Sequence, residues 1–211
     1  FLTLKHVALM MLGNYEEAYN FILNKKENYT NESSLLRYYQ AVGLSLLYLK
    51  RFSDLEKIID EISTTPNSNR THHKQYLTLL KHYENADYQK VIDGFEELDN
   101  TDLFSSTKGA RRTLSDVFYY WRSKSYLEIG DYQNALKETF KFRAASNQIT
   151  GQTVFDQFWP KKNYLKGIAY EGLGDIVNAI ESYEDFLRLW NNADSYLPEI
   201  IDAKKRLENL K

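Results

Sequence analysis

One short pattern recurs five times along the chain, and no other feature limits its fold as much. The copies are MLGNYEEAYNFI at 11–22, YLKRFSDLEKII at 48–59, ENADYQKVIDGF at 84–95, EIGDYQNALKET at 128–139 and GLGDIVNAIESY at 172–183. Each has a small or polar turn, then an aromatic residue or Ile, then Ala, Leu or Val three residues later. Measured at Gly13, Lys50, Ala86, Gly130 and Gly174, the intervals are 37, 36, 44 and 44 residues. Repetition at this spacing predicts a stack of supersecondary units, none able to bury its apolar face alone.

Each unit reads as two helices. After the last turn, Ile176, Ala179, Ile180, Tyr183, Phe186, Leu187 and Trp190 fall on one face of a helix, and strand alternation is absent. Leu165, Ile168, Ala169 and Leu173 repeat that spacing upstream. Glycine supplies the left-handed residue that ends the first helix, and a following Asp or Asn caps the second. Asp131 and Asp175 fit that role, and Asn14 with Glu17 reads as a capping box. In the second copy the capping signal moves downstream to Ser53 and Glu56, which predicts a longer turn there.

These residues resemble the tetratricopeptide repeat family. Its pattern places a small residue and an aromatic on the first helix, Gly-Asp-Tyr at the turn, and Ala then an aromatic on the second helix. The fifth unit matches at Gly167, Tyr170, Gly174, Asp175, Ala179 and Tyr183, and the fourth at Ser123, Tyr126, Gly130, Asp131, Tyr132 and Ala135. The first matches at Gly13, Tyr15 and Ala18, the second at Gly43 and Phe52, and the third at Tyr88 and Phe95. The resemblance implies an all-α, right-handed α-solenoid of five hairpins in a single domain. The units run over 1–28, 31–63, 71–99, 107–146 and 155–191, with a capping helix at 195–211. The intervals exceed the family period of about 34 residues. The extra length falls around 99–109 and 146–157, where longer helices or protruding loops are expected.

The tail at 186–211 resembles the end of bacterial tetratricopeptide arrays attached to serine/threonine kinases, nucleotide cyclases or winged-helix regulators. That likeness rests on Leu189, Trp190, Ala193, Asp194, Leu197, Pro198, Ala203, Arg206 and Leu207. It implies that Lys211 lies near the natural C terminus and that further sequence precedes Phe1. Ile200, Ile201, Ala203, Lys204 and Leu207 are expected to lay one stripe of the capping helix on the last repeat.

Composition removes several function classes. A net charge of -2 supplies no field for nucleic acid or an anionic membrane. With no cysteine there is no thiolate ligand or nucleophile. No apolar run approaches the roughly 20 residues of a membrane span. A cytoplasmic location is expected, with the periplasm left open. Neither GxxxxGK[ST] nor GxGxxG occurs, so no nucleotide cofactor is expected. His6, His72, His73 and His82 lack the i, i+4 spacing of a helical zinc pair and read as surface residues. Glu96 with Glu97, and Asp99 with Asp102, read as solvated carboxylates. Basic clusters around Lys108, Lys137 and Lys161 read as solvated faces. No catalytic residue, metal ligand or cofactor is expected.

Tyrosine is the unusual component, with 17 residues concentrated on first helices. In pairs such as Tyr38 with Tyr39 and Tyr119 with Tyr120, neighbours diverge by about 100°, so only one of each pair is expected in the packed stripe. First helices line the concave groove in the resembled family. On that basis Gln40, Tyr76, Tyr120 and Tyr164 point into it, followed one turn on by Leu44, Leu80, Lys124 and Ile168. The lysine and asparagine of the family's carboxylate clamp are missing from these positions, so chaperone tails are not expected. A mixed aromatic and apolar groove suits a protein or peptide segment. The expectation is a non-catalytic scaffold or sensor module of a larger bacterial signalling protein. The alternatives are a small-molecule sensor closed by 99–109 and 146–157, or a homo-oligomerisation module using Phe1, Leu2 and Leu4 or the convex face.

Overall fold

The computed structural model describes residues 2–67, 70–100, 108–142, 158–190 and 197–211. Among these it is all-helical, with eleven α-helices and no strand. They are α1 Leu2–Met11, α2 Tyr15–Leu23, α3 Glu32–Tyr48, α4 Phe52–Thr64, α5 Arg70–Glu84, α6 Tyr88–Asn100, α7 Lys108–Glu128, α8 Tyr132–Lys141, α9 Phe158–Gly172, α10 Ile176–Leu189 and α11 Pro198–Leu210. The added length at 101–107 and 146–157 lies outside the described residues.

The five aligned positions share one backbone solution. Gly13, Lys50, Ala86, Gly130 and Gly174 have φ of 74°, 56°, 60°, 77° and 76°, and no other described residue has positive φ. In every copy the left-handed residue bonds through its N–H to the carbonyl three back, and the next residue to the carbonyl five back. Gly130 bonds Leu127 and Asp131 bonds Tyr126, for example, as Lys50 bonds Leu47 and Arg51 bonds Leu46. This is the Schellman closure, which satisfies carbonyls left open at a helix end. Three residues separate the paired helices each time. The second turn is therefore no longer than the others, because Lys50 accepts the left-handed conformation and α4 starts at Phe52.

Asp131 and Asp175 cap their helices as expected, accepting from the N–H groups of Asn134 and Asn178 at 3.1 and 3.2 Å. Asn14 makes no side-chain cap. A capping box occurs instead at Asn31 and Ser34, where each side chain bonds the other's backbone N–H.

Contacts divide the chain into two compact units, 1–90 and 91–211, and the division falls within α6. In the first unit, α3 packs against α1, α2, α4 and α5. Being covered on several sides, it buries both Tyr38 and Tyr39, 4% and 6% exposed, where one of the pair was expected to face away. Their rings meet edge-on at 5.4 Å. Leu55, Ile59 and Ile62 of α4 complete the apolar stripe. Two histidines are buried against expectation. His72 is 9% exposed, and His6, 3% exposed, has its Nε2 2.8 Å from the Ser45 hydroxyl.

In the second unit, α7 packs on α8 and α9, α9 on α8 and α10, and α10 on α11. Val91, Ile92, Phe95 and Leu98 give α6 its buried face, and Phe95 meets Phe118 of α7 at 5.4 Å between ring centroids. Gly167 lets α9 approach α10, since a Cβ there would lie 2.4 Å from the Tyr183 ring. Tyr183, Phe186 and Ala179 of α10 form a core with Ile200 and Ala203 of α11. Burial of each large side chain favours folding by about 1.5–3 kcal/mol. The α11 stripe is narrower than expected, because Ile201 is 55% exposed and Lys204 also faces solvent.

Candidate functional site

Four of the sequence-selected residues converge in the second unit. Tyr120 and Lys124 of α7, with Tyr164 and Ile168 of α9, line one recess of about 650 Å³. They meet because residues four apart share a helix face and because α7 and α9 pack side by side. Tyr120 is 6% exposed, while Lys124, Tyr164 and Ile168 are half-buried. The Lys124 ammonium sits 5.7 Å from the Tyr120 ring centre and 5.2 Å from that of Trp121. Such contacts steady a cation at a desolvated edge.

In the first unit, Gln40 and Leu44 of α3 and Tyr76 of α5 are half-buried, whereas Leu80 is 1% exposed and belongs to the core. The side chains of Phe1, Leu2 and Leu4 lie outside the described residues, as does the segment 146–157.

The opposite wall of the recess comes from α11, whose Glu199, Asp202 and Arg206 face it. These groups form a connected polar set with α9. The Lys161 ammonium donates to Glu199 at 2.6 Å, and the Tyr164 hydroxyl donates to Asp202 at 2.7 Å. Arg206 donates through Nε to Asp202 at 2.6 Å and through Nη1 to Glu171 at 3.0 Å. Glu171 also accepts from the Tyr183 hydroxyl at 2.7 Å.

Burial and pairing together fix the states of Glu199, Asp202, Tyr164 and Arg206. Burial works against the Glu199 and Asp202 charges, but Lys161 for the first, and Tyr164 and Arg206 for the second, keep both carboxyls below the usual range. Burial, then the bond to Asp202, pushes the Tyr164 hydroxyl well above the usual phenol value, so it remains a donor. Burial would weaken the Arg206 cation, but its carboxylate partners hold it firmly protonated.

Sequence reasoning missed Glu171, Glu199, Asp202 and Arg206. Glu171 continues the face of Tyr164 and Ile168 by one turn, and Asp202 and Arg206 are an i, i+4 pair, so both signals were present. What the sequence could not show is that α11 turns its charged row toward α9. Among the described residues, no group of three or more His, Asp or Glu side chains is placed to hold a metal. No described helix is long and apolar enough to cross a membrane.

Compared with known proteins, the chain matches no family model, no curated sequence and no solved structure.

Proposed function

We propose that the chain is a tetratricopeptide-like, right-handed α-solenoid acting as a non-catalytic binding module for a protein segment. The α7–α9 face of the second unit is its docking surface. The observation that carries this reading is the meeting of Tyr120, Lys124, Tyr164 and Ile168 in one recess. The five identical turns, with first helices in contact in the pairs α1 with α3, α3 with α5, and α7 with α9, support the repeat architecture. Aromatic and aliphatic surface supplies affinity when a partner covers it. Lys124, Lys161 and Glu171 supply charges that set the partner's register. The resemblance of the tail supports placing the module in a larger, cytoplasmic bacterial signalling protein.

The test is photo-crosslinking in cell extract, with p-benzoylphenylalanine in place of Lys124 and, as control, in place of the 77% exposed Val177. Position 124 is expected to trap a discrete protein species that position 177 does not. Equal trapping at both positions removes the α7–α9 face as the binding surface. A second reading, small-molecule sensing, draws on the recess volume, which falls within the roughly 300–1,000 Å³ of ligand pockets. A metabolite mixture that shifts the melting temperature of wild type but not of Ile168→Trp would favour it.

A further inference from the structure

Helix α11 is held in two ways, by an apolar stripe on α10 and by a polar row on α9. Ile200 and Ala203 of α11 are buried against Tyr183 and Phe186 of α10, and Leu207 and Leu210 pack on the same core while staying partly exposed. Along the face toward α9, Glu199, Asp202 and Arg206 are spaced three and four residues apart, one helix row. They meet Lys161, Tyr164 and Glu171, which form the matching row of α9. The join is thus a short apolar stripe, with only two of its residues fully buried, plus a polar zipper. Arg206 and Glu171 are 33% and 30% exposed, so water and salt weaken their pairing. An element with few buried apolar contacts opens at lower free energy than the core beside it.

The zipper is also complementary in a specific order: acid to ammonium, acid to phenol, arginine to carboxylate. When α11 leaves, it uncovers Lys161, Tyr164 and Glu171 beside Lys124 and Ile168, the same face assigned above to partner binding. We propose that α11 is a displaceable lid on the α7–α9 face. The partner that displaces it is an amphipathic helix bearing the same aspartate and arginine four residues apart beside an apolar stripe. The bound helix would replace the bonds α11 gives up, so binding and lid opening become one equilibrium. This proposal rests on the binding reading for its partner, but lid opening is measurable without one.

Hydrogen exchange on the whole chain tests the lid. The amides in the middle of α11 are expected to exchange at least tenfold faster than those of α9 and α10. Asp202→Ala with Arg206→Ala is expected to speed α11 a further tenfold while leaving α9 and α10 within twofold. If α11 exchanges no faster than its neighbours, or all three accelerate together, α11 is a fixed cap and the proposal fails. A fluorescent synthetic peptide of residues 197–211 tests the partner class. It is expected to bind the double variant at least tenfold more tightly than wild type, whose own α11 competes. The same peptide with both substitutions is expected not to bind. Equal binding to the two proteins, or none to the variant, overturns the proposal. A fixed α11 together with specific crosslinking at position 124 would leave the binding reading standing, and the reverse pattern would remove that reading alone.

Discussion

The two compact units close the same turn with different residues and bury different polar groups. The first unit places Lys50 and Ala86 in the left-handed region, at φ 56° and 60°, beside Gly13, whereas the turns of the second have glycine there, Gly130 and Gly174. The first buries a neutral pair, His6 with Ser45. The second buries an ion pair, in which Arg122 and Glu138, 4% and 8% exposed, meet at 2.6 Å. Helix packing therefore imposes the turn whatever residue stands there, and glycine only lowers its cost. The buried groups, in contrast, decide how each unit responds to its surroundings.

The largest expected effect breaks the second unit alone. Arg122→Ala leaves Glu138 buried with Lys141 as its remaining cation, and a loss near the lower end of about 3–5 kcal/mol is expected. All three tryptophans, Trp121, Trp159 and Trp190, lie in the second unit. Urea unfolding followed by tryptophan emission should show the loss, and Arg122→Met with Glu138→Leu should recover most of it.

Acid is expected to separate the units in the opposite sense. Burial lowers the His6 value from 6.5 to about 4, so the folded state favours the neutral ring. The associated stability is complete above pH 6.5 and is lost as pH falls toward 4, by about 3 kcal/mol there. The Glu199 and Asp202 carboxyls are shifted below their usual range, so their contribution is lost only at lower pH. Thermal melts between pH 7 and 4.5 should therefore show helix loss by circular dichroism ahead of any change in tryptophan emission. His6→Leu should flatten that difference.

The smallest effects exchange the turns. Ala86→Gly is expected to stabilise the first unit, and Gly130→Ala to destabilise the second, each by about 1 kcal/mol in denaturant titrations. Effects of equal sign would show that the two turns are not equivalent.

Much of the helical framework was legible because it is local. The period located five left-handed residues, two of them not glycine, and the apolar spacing located α10 and its partner α9. One of the Tyr38 and Tyr39 pair, His6 and Ile201 were misplaced because their burial depends on which neighbours cover a helix, and one helix's periodicity does not contain that information. The recess was half legible for the same reason. Tyr120, Lys124, Tyr164 and Ile168 follow from register along α7 and α9, but the opposing row of α11 depends on the angle at which a distant segment returns.

The three-residue turns, present without exception in five copies, also fix where this chain can grow. Each turn has one residue to close a helix, one in the left-handed region and one that opens the next helix, so no position is spare. An inserted residue would move the wrong side chain into the left-handed slot and rotate the following helix off its apolar face. The spacing between copies varies from 36 to 44 residues, so the slack lies in the rest of each repeat. New sequence, natural or engineered, has room between hairpins and none within their turns.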